Sequence, residues 1–237
     1  MFNILLTVYL WLVALLALLI TFPIAILLYP FLDQKSFSRM CEVVPGYLIL
    51  YSMLIPNFWT LKIVDRRKDK SWNNKRYVVV ANHLSFIDSL VTITLPLKKK
   101  FMIARIYTKI PIFGWLVKMA GFIPVDRHQP NNRSDPKNSG VLRAIKNMND
   151  GASFLIYPEG KRSLTYQLDQ FKSGAFVIAK ETNVPILPIT LKGTKEALDF
   201  GGKVGFSDIT ITIGEPFYVE NIPDSIKKAR DFIQSNL

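Results

Sequence analysis

Cysteine is nearly absent. Cys41 is the single cysteine in 237 residues, so an internal disulfide framework is excluded. Histidine is almost as scarce, with only His83 and His128 available as imidazole bases. Acidic residues are in deficit, 18 against 30 Lys and Arg, for a formal net charge of +12. No Gly-x-Ser-x-Gly elbow is present, and Cys41 lies within the N-terminal 64 residues, where packing is its default role. No internal repeat or low-complexity tract is found, and 49% hydrophobic residues exclude an intrinsically disordered chain.

The missing charge is unevenly distributed. Residues 1–32 contain no Asp, Glu, Lys or Arg, and residues 33–61 carry only Asp33, Lys35, Arg39 and Glu42, which cancel. The whole net charge of +12 therefore lies beyond residue 61. Asn3 to Thr21 is an almost unbroken apolar run, which as a helix reaches about 30 Å, the hydrocarbon thickness of a bilayer. A cleaved signal peptide would need a basic leader, a shorter apolar core and a small-residue cleavage site, so a retained membrane anchor is expected. A second apolar stretch, Val43 to Val64, is broken by Pro45, Gly46, Pro56 and Asn57. It reads as the return arm of a helical hairpin, spanning the bilayer or lying in one leaflet, with a buried helix of the soluble domain as the competing reading. Residues 1–64 are thus expected to be a membrane-associated hairpin and 65–237 a soluble domain. The basic cluster Lys62, Arg66, Arg67, Lys68 and Lys70 favours the cytoplasmic face, where it also meets anionic headgroups.

Beyond Arg76, short Val-, Ile- and aromatic-rich runs predict strands at 77–81, 101–104, 122–125, 153–157, 186–191 and 209–213. Helical spacing at 86–95, 111–120, 140–148 and 173–181 alternates with them, the pattern of an α/β sheet covered on both faces. The polar stretch 127–140 reads as an insertion or a lid. A basic charge balance alone also fits nucleic acid, but no zinc-ligand cluster or reading helix accompanies it, so no nucleic-acid partner is expected.

His83 follows the first of those soluble-domain strands, in Asn82-His83-Leu84-Ser85-Phe86-Ile87-Asp88. At a strand-to-helix turn, Asp88 can accept from one imidazole nitrogen and leave the other as a base. With no serine or cysteine nucleophile identifiable beside it, such a base suggests direct transfer to a deprotonated substrate hydroxyl. Taken alone, the spacing also fits a turn histidine paired with a surface carboxylate. Other polar groups fall after strands and point to an anion: Arg105, Arg127, the run Tyr157-Pro158-Glu159-Gly160-Lys161-Arg162, and Lys172. Gly160 permits close backbone approach, and Arg162 can grip a phosphate with its planar fork. Open α/β sheets bind ligands beyond the carboxyl ends of their strands, which would bring these groups together near His83.

Together these blocks resemble the glycerolipid acyltransferase family, specifically the 1-acylglycerol-3-phosphate acyltransferases. The resemblance rests on NHLSFID at 82–88, GFIPVDR at 121–127, YPEGKRS at 157–163 and VPILPIT at 184–190, with KIPIFGW at 109–115 and FKSGAF at 171–176 in support. Lys161 replaces the usual Thr, Tyr157 the usual Phe, and Arg105 stands where relatives often carry Lys. The resemblance implies a mixed β-sheet flanked by helices, preceded by a two-helix membrane motif. It further implies acyl transfer from acyl-CoA or acyl carrier protein to the free sn-2 hydroxyl of lysophosphatidate, giving phosphatidate, without a metal or organic cofactor. His83 and Asp88 would be catalytic. Arg105, Arg127, Glu159, Gly160, Arg162 and Lys172 would bind substrate, and the surroundings would be membrane lipids. A remodelling acyltransferase with another headgroup preference, or a noncatalytic lipid-binding protein of the same fold, are the alternative functions.

Overall fold

A computed structural model of the chain describes residues 2–73, 75–97, 99–125, 140–149 and 151–237. Val78 to Ala81 (β2) is apolar at every position and buried on both faces, as a central strand of a covered sheet must be. Around it lie β1 (Trp59–Asp65), β3 (Lys99–Ala104), β4 (Ile123–Val125), β5 (Ser153–Ile156), β6 (Ile186–Lys192) and β7 (Ser207–Ile213). Their order across the sheet is β1-β7-β6-β2-β5-β3-β4. Every pairing is parallel except β6 with β7, so the sheet is mixed.

Alternation along β2 divides the core. Val79 and Ala81 face one side with Leu155, Leu187 and Ile189, where Leu6 and Leu10 of α1 (Phe2–Leu28) and Leu50 and Met53 of α2 (Gln34–Leu54) also pack. Val78 and Val80 face the other, against α5 (Gly140–Asn149), α6 (Gly174–Thr182) and α8 (Ile222–Gln234). α8 starts where Asn221 accepts the Asp224 N–H at 3.2 Å, and it buries Ala229 and Ile233. Shorter helices complete the domain: α3 (Asp88–Val91), α4 (Phe113–Met119) and α7 (Thr194–Ala197).

α1 is long and apolar enough to cross a bilayer, and 22% of its apolar window is buried inside the protein. It is fastened to the domain as well as packed on it. Trp11 Nε1 donates to the Gly202 carbonyl at 3.1 Å, and Thr7 Oγ1 accepts the Val204 N–H at 3.0 Å. The hairpin's return arm differs from the sequence expectation of 43–64. It begins at Gln34, continues through Pro45 and stops at Leu54, before a turn in which Asn57 takes a positive φ of 60°. Residues 59–65 form β1, paired in register with β7, so the boundary expected at residue 64 cuts through a strand. Burial of Leu50 and Met53 in the main core shows why: the end of the second apolar stretch is apolar because it packs on the sheet.

Candidate active site

The carboxyl end of β2 delivers the strand-to-helix turn 82–88. Asn82 is fully buried and extends the sheet through its side chain, donating Nδ2–H to the Leu191 carbonyl and accepting the Leu191 N–H, both at 2.8 Å. Asn82 thereby ties the turn to β6. Ser85 Oγ donates to the Leu198 carbonyl at 2.6 Å and anchors the far side of the turn.

Between these anchors, Asp88 curls back on the residues before it. Its Oδ2 accepts the backbone N–H of Leu84 at 2.7 Å and of Ser85 at 2.8 Å, and lies 2.7 Å from His83 Nδ1. An oxygen already receiving two N–H groups is an acceptor, so Nδ1 carries the proton and Nε2 is left with a free lone pair. Asp88 is fully buried, and its Oδ1 has no hydrogen-bond partner among the described residues. Such an unsatisfied buried group costs on the order of 1–3 kcal/mol, so the dyad is held against a stability cost.

His83 is clamped from two further directions. Tyr157 stacks on the imidazole at 4.1 Å between centroids and 12° between planes. The tyrosine hydroxyl pairs with Ser89 Oγ at 3.1 Å. Burial, reinforced by the Asp88 carboxylate, holds the Tyr157 phenol well above the ordinary tyrosine value, so it stays neutral. Glu159 grips the backbone, taking the His83 N–H on Oε1 and the Asp169 N–H on Oε2, both at 3.1 Å. The Ser163 N–H then donates to the His83 carbonyl at 2.7 Å. The 157–163 loop therefore holds His83 in place.

Burial raises Glu159 above its ordinary value of 4.5, against the opposing pull of its two N–H donors. A raised native value means that this group's contribution to stability is fully present below pH 4.5 and is lost as pH rises through the raised value. Glu159→Ala removes an acceptor from two backbone N–H groups, with an expected loss of about 1–3 kcal/mol for each left unpaired. Melting temperatures taken across pH should show the deficit of the variant greatest near pH 4.5 and shrinking at higher pH. A deficit that grows with pH would contradict this account.

His83 opens into a cavity of about 1420 Å³. Leu10, Trp11, Ala14 and Leu18 of α1 and Pro45, Gly46 and Ile49 of α2 line one side. Phe101, Met102, Leu116 and Val141 close much of the rest. Arg105, Gly160, Arg162 and Lys172 line the same cavity, so four of the six expected substrate-binding residues converge with the base. Gly160 has a φ of +73°, and a Cβ there would meet Lys172 Nζ at 2.8 Å. Arg162 lies over the Phe200 ring, 4.4 Å from its centroid. Glu159 stands apart from that group: it is 3% exposed, and both carboxylate oxygens are engaged by backbone. Arg127 and His128 lie outside the described residues. Lys161, which departs from the usual motif, pairs with Asp169 at 3.0 Å, is largely exposed and does not line the cavity.

Sequence reasoning missed Tyr157 as the stacking partner, Asn82 as the splice to β6, and α1 as a wall of the cavity. For α1 no sequence signal existed, because some seventy residues and the first strand separate its cavity face from His83.

A family model described as acyltransferase matches residues 62–192, more than half of the chain. Over 162 residues the chain is 34% identical to the chloroplastic 1-acyl-sn-glycerol-3-phosphate acyltransferase BAT2 of Brassica napus, covering 68% of this chain and 46% of that protein. The 1-acyl-sn-glycerol-3-phosphate acyltransferase of Streptococcus pneumoniae is 30% identical over 148 residues, covering 57% and 53% respectively. The match thus spans about half the length of these curated relatives. The crystal structure of the 1-acyl-sn-glycerophosphate (LPA) acyltransferase PlsC from Thermotoga maritima superposes with a TM-score of 0.77 at 21% identity, covering 99% of this chain and 94% of that one. That likeness establishes the mixed sheet and its flanking helices as a known fold. With the family model lying across β1 through β6 and the His83–Asp88 turn, the chain belongs to the acyltransferase family.

Proposed function

We propose that the chain transfers a fatty acyl group from an acyl thioester, acyl-CoA or acyl carrier protein, to the sn-2 hydroxyl of 1-acylglycerol-3-phosphate, forming phosphatidate. The observation that carries this reading is the His83–Asp88 dyad opening into a cavity that is apolar along the helices and cationic beside the dyad. Lysophosphatidate has the complementary form, with one hydrocarbon chain and one phosphate separated by a glycerol hydroxyl. In this mechanism His83 Nε2 takes the hydroxyl proton as the oxygen attacks the thioester carbonyl. Asp88 stabilises the imidazolium that results. The tetrahedral intermediate then collapses, the carbon–sulfur bond breaks, and the imidazolium returns its proton to the departing thiolate. Holding both substrates in register supplies about 7–11 kcal/mol of the barrier reduction.

Arg105, Arg162 and Lys172 receive the phosphate, while Arg127 is carried as a further phosphate ligand on the family motif alone. The protein works at a membrane, with α1 as its anchor and the catalytic domain on the cytoplasmic face. The exposed face of α1, including Leu12, Leu15, Leu16 and Leu19, supports the anchoring. The cation-rich stretch after residue 61 supports the orientation.

Purified protein in lipid should release free thiol from an acyl thioester only when lysophosphatidate is supplied, and should use lysophosphatidylcholine poorly. Equal rates on the two acceptors would remove the phosphate-specific reading. Arg162→Ala should raise KM for lysophosphatidate by about ten- to a hundredfold, the loss of one charge-assisted contact, with KM for the thioester little changed. Equal losses for both substrates would remove Arg162 from the acceptor site.

A further inference from the structure

α1 is not the only exposed apolar surface. The segment from the 3₁₀ turn Arg105–Lys109 into α4 shows Ile106 63% exposed, Ile110 45% and Trp115 52%. Contiguous exposed apolar side chains on a folded domain mark a contact surface. Here the surface adjoins α1, where Trp115 meets the half-buried Phe22 of that helix at 5.6 Å between ring centroids. It also reaches the cavity: Phe86, Arg105, Tyr107 and Ile110 line it.

The backbone that carries these residues is strained at one point. Ile112 takes φ +64°, ψ −63°, and the Phe113 N–H donates to the Pro111 carbonyl at 2.7 Å, a γ-turn that a β-branched residue adopts only under strain. The strain is held by packing, since Ile112 lies against the cluster of Ala25, Phe37, Leu116 and Ala120 that joins α1, α2 and α4. Gly114 is required just beyond, where a Cβ would approach the Thr108 carbonyl oxygen to 2.3 Å.

Charge selects the occupant. From Ser89 to Val125 the sequence has six Lys and Arg and no Asp or Glu. Lys109 and Lys118, interleaved with the apolar residues, are exposed. A protein partner's apolar patch would not require an acid-free surround, whereas an anionic leaflet favours both features together.

We propose that residues 105–115 form a second membrane-contacting element, seating the cavity mouth on the anionic leaflet that also receives α1. The proposal rests on the membrane reading of α1 given above and extends it to the entry route. A single-chain amphiphile slides from the leaflet past Ile110 and Tyr107 to His83, without passing through water.

The test uses the full chain with Cys41→Ser and one environment-sensitive fluorophore, attached in turn through Ile106→Cys, Trp115→Cys, Leu12→Cys on α1, and Lys227→Cys on α8. Phosphatidylcholine–phosphatidylglycerol vesicles carrying brominated acyl chains serve as quencher. Labels at 106, 115 and 12 are expected to shift to the blue and to be quenched, while the label at 227 keeps its aqueous emission. Quenching at 12 with aqueous emission at 106 and 115 would overturn the proposal and leave the membrane reading intact. Aqueous emission at all four positions would overturn both. In parallel, Ile106→Asp should raise the apparent KM for vesicle-borne lysophosphatidate about tenfold, by loss of apolar burial in the leaflet. Its kcat on a water-soluble short-chain acceptor should be unchanged. Equal loss on both acceptors would instead assign Ile106 to the domain's own structure.

Discussion

His83→Ala is expected to lower kcat for acyl transfer by about 10²–10⁴-fold, the range for loss of a positioned general base. The variant should fold. His83 is held by its neighbours more than it holds them: the Glu159 and Ser163 contacts are made to its backbone and survive the substitution. KM for the thioester should change little, because the imidazole contributes through the proton it accepts and not through grip on the donor. Thiol release measured at saturating thioester and lysophosphatidate checks this directly. A His83→Ala protein retaining more than about a tenth of wild-type kcat would remove the general-base mechanism, since even the low end of the range is a hundredfold.

Asp88→Asn carries a comparable effect on kcat with little consequence for stability. The carboxylate oxygen that meets His83 Nδ1 also receives two backbone N–H groups, while its other oxygen is buried without a partner among the described residues. An asparagine oxygen can take over all three contacts and so preserve the turn. What it cannot supply is the negative charge that stabilises the imidazolium, and if the amide nitrogen faces the ring instead, the tautomer reverses. The expected fall in kcat is about 10³–10⁴-fold. Because the contacts of the turn survive, the melting temperature should change little. A variant that loses activity only in proportion to a lowered melting temperature would make Asp88 a structural residue. Near wild-type kcat would break its link to the base.

Much of the site was legible because its signals are local. A histidine and an aspartate five residues apart at a strand end need only one turn to meet, and β2, β5 and β6 announce themselves by short apolar runs containing β-branched or aromatic residues. The predicted strands at 153–157 and 186–191 differ from β5 and β6 by single residues at their ends. Where the reading failed, the cause was an ambiguous period. Trp59–Asp65 continues an apolar stretch and reads as more of the hairpin, although it pairs with β7 some 150 residues later. α8 gives a weak helical signal because its apolar stripe is thin: Ile222, Ile226, Ala229 and Ile233 stand among charges. Glu159, beside Arg162 in the loop, reads as a substrate ligand through the family resemblance. Burial and two backbone donors give it a different occupation.

By itself the sequence determined the alternating α/β order, the separation of an uncharged N-terminal stretch from a basic domain, and the pairing of His83 with Asp88. Each is set by residues within one or two turns of each other, where spacing and hydropathy suffice. Tertiary structure alone decided that α1 walls the cavity, that Tyr157 stacks on His83, and that Trp115 meets Phe22 of α1. Those relations join residues from different elements. Sheet order and side-chain packing fix them, and neither is encoded in the spacing along any one stretch of chain.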